Sequence, residues 1–146
     1  MHNELQVSTQ TLYRYLMVTK NKEQMPVWYV YKATCPTRQV LDCIADKCAA
    51  LVVGLLYRGT RRFGEMRKAI EGVSQKMLTQ TLRSLERDGI VARKVYASVP
   101  PKVEYSLTPL GQSLARIVED LRIWSESNIE IVLASQQAYD SQPKDD

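Results

Sequence analysis

The middle of the chain contains two short helical patterns, a tight turn and a β-ribbon pattern in direct succession. The helical patterns are Phe63–Ile70 and Ser74–Asp88, and a turn at Gly72 separates them. Two segments with strand-like alternation follow, Val91–Tyr96 and Lys102–Leu107, joined by a bend that contains two prolines. This order predicts two helices packed across a glycine turn and followed by an antiparallel hairpin, which leaves few alternative folds.

The same region carries a concentrated positive charge. Between Arg58 and Lys102, eleven Lys and Arg stand against four Asp and Glu, a net charge of +7, whereas the 146-residue chain carries +4. A concentrated basic face is the usual electrostatic footprint of a nucleic-acid binder. The order of elements and the sign of the charge together predict an α+β fold, mostly helical: a winged helix-turn-helix with a two-stranded wing.

Capping residues and apolar spacing predict the helices around the turn. Ser74 can accept a hydrogen bond from a backbone N–H of the next turn, so we expect it to begin the second helix. Leu78, Leu82 and Leu85 recur at helical spacing and form its expected inner face. Upstream, two further helical patterns are interrupted at Asp46-Lys47.

The last helical pattern carries more apolar surface than one small domain can cover. It begins at Thr108-Pro109, an N-cap residue followed by proline at the first helical position. Its apolar residues recur at steps of three and four: Leu114, Ile117, Leu121 and Trp124. We therefore expect this stripe to pack against a second copy of the chain in a homodimer.

The sequence divides into three parts. Residues 1–34 are expected to be an N-terminal arm, either flexible or wrapped around the dimer. Residues 35–134 form the winged helix-turn-helix domain with its C-terminal helix, and residues 135–146 are a polar tail. From Val103 to Asp146, three basic residues stand against eight acidic ones, a net charge of −5, so this part is expected to face away from DNA.

The polar face of Ser74–Asp88 has the chemistry of a groove-reading helix. Opposite the leucines lie Gln75, Lys76, Thr79, Gln80, Arg83 and Arg87. Gln can pair with adenine, Arg with guanine, and Thr can meet a thymine methyl group or a phosphate. Lys76 falls in the first turn, where a phosphate would approach the helix N-terminus. The alternative is an ordinary solvated face, which the adjoining turn, helix and ribbon disfavour.

The hairpin has basic residues on both sides of its bend. Arg93, Lys94 and Lys102 would contact phosphates if the wing lay along the minor groove. The alternative is an ordinary hairpin with polar edges. The packed face of the hairpin is expected to contain Tyr96, Val103, Tyr105 and Leu107.

Other function classes lack their residues. The single histidine is His2, and Cys43 and Cys48 do not have CxxC spacing, so neither a metal site nor a histidine-dependent catalytic pair is expected. No phosphate-binding glycine motif is present. We expect no enzyme and no cofactor. The residues at the N-terminus are unlike a signal peptide and no apolar run spans a membrane, which predicts a cytoplasmic protein with reduced thiols.

Several motifs resemble the HxlR-type family of bacterial winged helix-turn-helix regulators. The matching sequence segments are Cys35-Pro36, Leu41-Asp42-Cys43-Ile44, Arg62-Phe63-Gly64-Glu65-Met66, residues 72–83, Leu85-Glu86-Arg87-Asp88-Gly89, residues 99–108 and Leu110-Gly111. The resemblance implies a homodimer, joined through its N- and C-terminal helices, that binds double-stranded DNA and regulates a nearby gene. At Lys47-Cys48 the chain departs from the Lys-Trp pair that is usual in the family.

Cys35 matches a cysteine that some members of this family use to sense oxidants or electrophiles. It precedes a helix N-terminus and has Lys32 and Arg38 nearby in sequence, and both features lower a thiol pKa. The alternative is a structural cysteine in the dimer interface. Cys43 and Cys48 are expected to be small buried residues.

Three functions stay open from the sequence. The leading one is a sequence-specific transcriptional regulator that binds an inverted repeat and responds to an oxidant or a small-molecule electrophile through Cys35. The second is a regulator without thiol chemistry, whose ligand enters a pocket between the wing and the dimer helices. The third is a winged-helix protein-interaction module.

Overall fold

The computed structural model describes residues 28–143, so most of the N-terminal arm and the last three tail residues lie outside the described residues. Within that range the elements in chain order are α1 (Thr37–Ala45), α2 (Lys47–Leu56), α3 (Phe63–Ala69), α4 (Gln75–Arg87), β1 (Val91–Tyr96), β2 (Lys102–Leu107) and α5 (Pro109–Asp140). This order confirms the predicted winged helix-turn-helix. Contacts group the chain into two units, one ending at Cys43 and the other starting at Ile44, so the boundary falls within α1.

The core of the second unit lies where α2 packs against α4 and α5. From α2, Val52, Val53 and Leu56 are almost completely buried. The predicted inner face of α4 is confirmed, because Leu78, Leu82 and Leu85 are all buried. α3 contributes Met66, the residue after its end contributes Ile70, and α5 contributes Ala115 and Val118. Because the leucines of α4 are buried, its opposite, polar face points to solvent.

Local capping sets the ends of the helices. The Asp46 carboxylate accepts from the backbone N–H of Cys48 at 2.8 Å, which begins α2 and confirms the interruption predicted at Asp46-Lys47. Ser74 Oγ accepts from the Met77 N–H at 3.1 Å and caps α4 as predicted. Gly72 has a φ of 79°, a left-handed conformation that glycine adopts without the steric cost of a side chain. That turn lets α3 and α4 cross within a few residues.

β1 and β2 pair antiparallel from Val91↔Leu107 to Tyr96↔Lys102. A further bridge joins Arg61 to Tyr105 through two backbone hydrogen bonds, of 3.0 and 2.8 Å. This bridge attaches Arg61, two residues before α3, to β2 of the wing. The sequence did not indicate it, since a single paired residue has no periodicity.

The first turn of α5 lies against the chain between α4 and β1. Thr108 N–H donates to the Ile90 carbonyl at 3.0 Å, and Thr108 Oγ1 accepts from Gly111 N–H at 3.1 Å. A methyl group at Gly111 would overlap the Ile90 carbonyl oxygen. Glycine is therefore required here for close backbone approach.

α5 continues to Asp140, beyond the boundary at Ala134 that we placed from the sequence. The polar residues Ser135, Gln136 and Gln137 do not end the helix, because no glycine or proline occurs between Gly111 and Pro143. At 1.5 Å per residue, its 32 residues extend for about 48 Å.

Replacing Gly111 should destabilise the domain. Gly111→Ala places a methyl group against the Ile90 carbonyl, and overpacking of this kind typically costs about 1–3 kcal/mol. Urea unfolding, followed by circular dichroism at one protein concentration, should give a lower midpoint.

The matched control is Gly64→Ala in α3, where no atom lies within 4 Å of the added methyl group apart from the two adjacent residues and the helix's own backbone. Alanine has the higher helix propensity, so the free energy of unfolding of this variant should stay unchanged or rise by less than about 1 kcal/mol. Equal midpoints for the two variants would contradict the close approach at Gly111.

Candidate nucleic-acid interface

α4 presents one polar face to solvent because its leucines hold the opposite face in the core. Five of the six predicted DNA-binding residues on this helix are exposed: Gln75, Lys76, Gln80, Arg83 and Arg87. The sixth, Thr79, is half-buried. Lys76, Gln80, Arg83 and Arg87 make no side-chain hydrogen bond or ion pair within residues 28–143. Their donors are therefore available to an external partner.

Two predicted residues on α4 are already engaged within the protein. The Thr79 hydroxyl donates to the Gln75 carbonyl at 2.8 Å, so its proton is used inside the helix. The Gln75 side-chain oxygen accepts from the Arg67 guanidinium at 3.3 Å. This bond joins α3 to the first turn of α4. The sequence missed Arg67 as a partner because the two residues lie on different helices.

A cleft of about 240 Å³ lies between α4 and the wing. Thr79, Arg83 and Glu86 line it from α4, and Arg93 lines it from β1. Leu82, Tyr105 and Phe63 complete the lining. The fold thus brings Arg83, predicted to read bases, and Arg93, predicted to contact phosphate, to one side of the molecule.

The wing has a polar face that the sequence did not fully predict. Tyr96 pairs with Lys102 and Lys94 pairs with Glu104. Since alternate residues of a strand point to opposite faces, these four side chains share one face. The inclusion of Tyr96 in the packed face was therefore wrong. Its strand position places it opposite the face shared by Val103, Tyr105 and Leu107.

Lys94 and Lys102 both lie over the ring of Tyr96. Their ammonium nitrogens are 4.8 and 5.1 Å from the ring centroid, which is cation–π distance. Lys102 Nζ also lies 2.7 Å from a carboxylate oxygen of Glu104. The hydrogen bond from Lys102, followed by that from the Tyr96 hydroxyl, lowers the pKa of Glu104. The charge of Arg62 acts in the same direction.

Cys35 lies just before α1 in the first unit and is almost buried. Its sulfur is 3.0 Å from the Thr37 hydroxyl oxygen. Hydrogen bonds from the Thr37 side chain and then the Thr37 backbone lower the pKa of this thiol, with smaller effects from the Tyr29 backbone and the Arg38 charge. Thr37 is a partner that the sequence analysis missed. Lys32, which it proposed, is not among the groups that lower this pKa.

A larger groove of about 790 Å³ runs between α2 and α5. Leu51, Gly54, Leu55 and Leu121 contribute apolar surface, and Arg122 lies at its edge. Arg122 forms ion pairs with Glu119 at 2.6 Å and Glu126 at 2.5 Å, which raise the pKa of the guanidinium. No wing residue lines this groove, so it is not the pocket expected between the wing and the dimer helices.

The residues predicted at the dimer interface remain exposed on the single chain. Ile117, Leu121 and Trp124 have 63%, 51% and 58% of their surface exposed, and Leu114 is half-buried. Only the first part of α5 reaches the core. The stripe is consequently an apolar surface without a partner in residues 28–143.

Residues 28–143 contain no group of three His, Cys, Asp or Glu side chains that could hold a metal ion. None of their helices has both the length and the apolar character that a membrane span requires.

A helix-turn-helix beside a two-stranded wing, with a basic exposed face on its second helix, defines the winged-helix class of DNA-binding regulators. The sequence profile of HxlR-like helix-turn-helix proteins matches residues 43–132. The chain belongs to this family, whose members are transcriptional regulators. It is a DNA-binding transcriptional regulator of the HxlR type.

Known proteins agree with this assignment. The HTH-type transcriptional regulator YtfH of Escherichia coli is 43% identical over 112 residues, which cover 77% of this chain and 89% of that protein. The structure of YtfH from Salmonella typhimurium superposes with a TM-score of 0.71 at 42% identity, covering 75% of this chain and 97% of that one. The redox regulator HypR in its oxidized form gives a TM-score of 0.61 at 47% identity, covering 64% and 97%.

Proposed function

We propose that the protein binds an inverted repeat in double-stranded DNA as a homodimer, with one α4 in the major groove of each half-site. The observation that carries this proposal is the exposed face of α4. Lys76, Gln80, Arg83 and Arg87 are exposed there and have no partner within the described residues.

Each side chain of the interface has a role in this arrangement. Arg83 is suited to bidentate bonds with guanine, and Gln80 to bonds with adenine. Lys76, in the first turn of α4, is suited to a phosphate. Arg93, Lys94 and Lys102 follow the backbone from the wing, and Arg87 extends the basic face at the end of α4. Gln75 holds Arg67 beside the groove-reading helix, and Thr79 offers its methyl group.

The exposed apolar stripe supports the homodimer. Ile117, Leu121 and Trp124 are each more than half exposed on α5, and α1 has no buried residue although Val40 and Leu41 are apolar. Each helix, taken by itself, exposes apolar side chains, and an exposed apolar patch marks an interaction site. A two-fold dimer would present two copies of α4 about 34 Å apart, one turn of DNA.

Arg83→Ala should weaken binding to the preferred site by about 1–3 kcal/mol and relax the preference at one base pair. Lys94→Ala should weaken binding to all sequences by a similar factor, because phosphates carry no sequence information. Duplexes selected from a random pool, followed by fluorescence anisotropy on a panel of single-base changes, provide the measurement.

Arg116→Ala is the matched control, an exposed arginine on α5 outside the proposed interface. It should leave affinity and preference unchanged. If Arg83→Ala behaved like Arg116→Ala, α4 would not be the reading helix. If the parent protein bound no duplex at any salt concentration, the winged helix would be serving as a protein-interaction module.

The parent protein should sediment as a dimer at micromolar concentration. Ile117→Glu should shift it toward monomer, because a carboxylate would be buried unpaired in the apolar interface. Gln112→Glu is the control, since this exposed residue lies on another side of α5. A parent protein that sediments as a stable monomer would contradict the homodimer.

A second function, thiol sensing, is favoured by the surroundings of Cys35. The Thr37 hydroxyl 3.0 Å from its sulfur stabilises the thiolate, the reactive form of cysteine. HypR, described as a redox regulator, is similar in sequence and structure. We propose that the Cys35 thiolate reacts in one of two ways. It adds to the ring of a quinone, which takes up one proton and becomes a hydroquinone thioether. Alternatively, it forms a disulfide with the Cys35 thiol of a second subunit, and two electrons pass to diamide, which takes one proton from that thiol and one from water.

Diamide or a quinone should change the DNA affinity of the parent protein, and Cys35→Ser should abolish the response. Cys43→Ser and Cys48→Ser should retain it. A rearrangement that costs about 1.4 kcal/mol suffices for a tenfold change in affinity. Gel shifts with and without the reagent measure this effect. An undiminished response in Cys35→Ser would assign Cys35 a packing role.

A further inference from the structure

One face of the wing holds an acidic residue among cations. Lys94 is directly opposite Glu104, and Tyr96 is directly opposite Lys102, so the four side chains form a square. One oxygen of Glu104 lies 2.7 Å from Lys102 Nζ, and the other accepts from the Tyr96 hydroxyl at 3.0 Å. We call these four residues the wing square.

Both partners of the ion pair are partly shielded from water. The side chain of Glu104 is 22% exposed and that of Lys102 is 36% exposed. Partial burial makes an ion pair less sensitive to screening by salt than a fully exposed pair. Tyr96 restricts both partners of the ion pair further. Lys102 lies over the Tyr96 ring, and the Tyr96 hydroxyl donates a hydrogen bond to Glu104. The wing square thus holds Lys102 in one position.

An acidic residue on a DNA-facing wing has an electrostatic consequence. DNA affinity depends on how many phosphates the protein neutralises, since each neutralised phosphate releases a counterion. Lys102 cannot give its whole charge to a phosphate while Glu104 lies 2.7 Å from its nitrogen. Lys94 has its nitrogen over the same ring but has no carboxylate partner within residues 28–143. The two lysines of the wing are therefore unequal.

We infer that Glu104 is a positioning residue that competes with the DNA backbone for Lys102 and thereby limits the sequence-independent affinity of the wing. The inference rests on the proposed function, because it requires the wing to lie along phosphates. With Glu104 in place, the wing contacts DNA mainly through Lys94 and Arg93. A larger share of the binding free energy then comes from α4.

The test is Glu104→Gln, which keeps the size of the side chain and removes its charge. Lys102 should then neutralise one more phosphate per wing. The plot of log K against log salt should steepen by about 0.9 per wing. If the variant and the parent protein bind equally at 1 M salt, this steeper slope gives the variant roughly an eightfold higher affinity per wing at 0.1 M salt. Fluorescence anisotropy on a 24-base-pair duplex of random sequence, between about 0.05 and 0.3 M KCl, measures both quantities.

Lys102→Met is the matched control, because it removes the proposed recipient of the phosphate contact and keeps an unbranched side chain. Combining it with Glu104→Gln closes a double-mutant cycle. In the Lys102→Met background, Glu104→Gln should no longer steepen the salt dependence. If the full change persisted there, Glu104 would act by direct repulsion of DNA, and the inference would be overturned.

Two further outcomes separate this inference from the proposed function. If Glu104→Gln changed neither affinity nor slope while Lys94→Ala still weakened binding, the wing would contact DNA and the inference alone would fail. If Lys94→Ala also had no effect while Arg83→Ala did, the wing contact itself would be wrong. Glu104→Ala should steepen the slope in the same way, and it serves as the second variant if Glu104→Gln unfolds.

Discussion

The close approach of α5 to the carbonyl of Ile90 is the constraint on which the rest of the DNA-binding unit depends. Ile90 lies between the end of α4 and the start of β1. Its carbonyl accepts from Thr108 N–H, and Gly111 leaves no room for a side chain between α5 and that oxygen. Three elements therefore meet through backbone atoms, which cannot relax as a flexible side chain would. This junction fixes α4, the wing and the beginning of α5 relative to one another.

With that frame fixed, the structure sorts the cations of the basic region into committed and available groups. Arg67 is bound to Gln75, and Lys102 is bound to Glu104. Arg83 and Arg87 have no partner within the described residues. The net charge of +7 between Arg58 and Lys102 therefore overstates what the surface offers to a polyanion. Lys76, Arg83 and Arg87 remain available on the exposed face of α4, which is why we propose that this helix reads the DNA sequence.

α5 combines two kinds of surface along one helix. Gly111, Ala115 and Val118 are buried in the core of their own chain. Ile117 and Trp124 are exposed although they are apolar. Because these two side chains stay largely exposed on the single chain, they do not belong to its core. The first turn of α5 also packs against Ile90, between α4 and the wing. If two chains assembled through the exposed apolar residues of α5, that assembly would therefore set the distance between their two copies of α4.

The sequence by itself determined the local features. The bounds of β1 and β2, the Ser74 cap and the buried leucines of α4 agree with prediction, because capping and periodicity involve residues within one or two turns. The placement of Arg83 on an exposed face follows from the same periodicity. Only the tertiary structure decided that Tyr96 faces Lys102 and Glu104, that Arg61 pairs with Tyr105, and that Gln75 holds Arg67. These contacts depend on strand register and on how α3 crosses α4, which are set by packing between distant segments and leave no pattern in the local sequence.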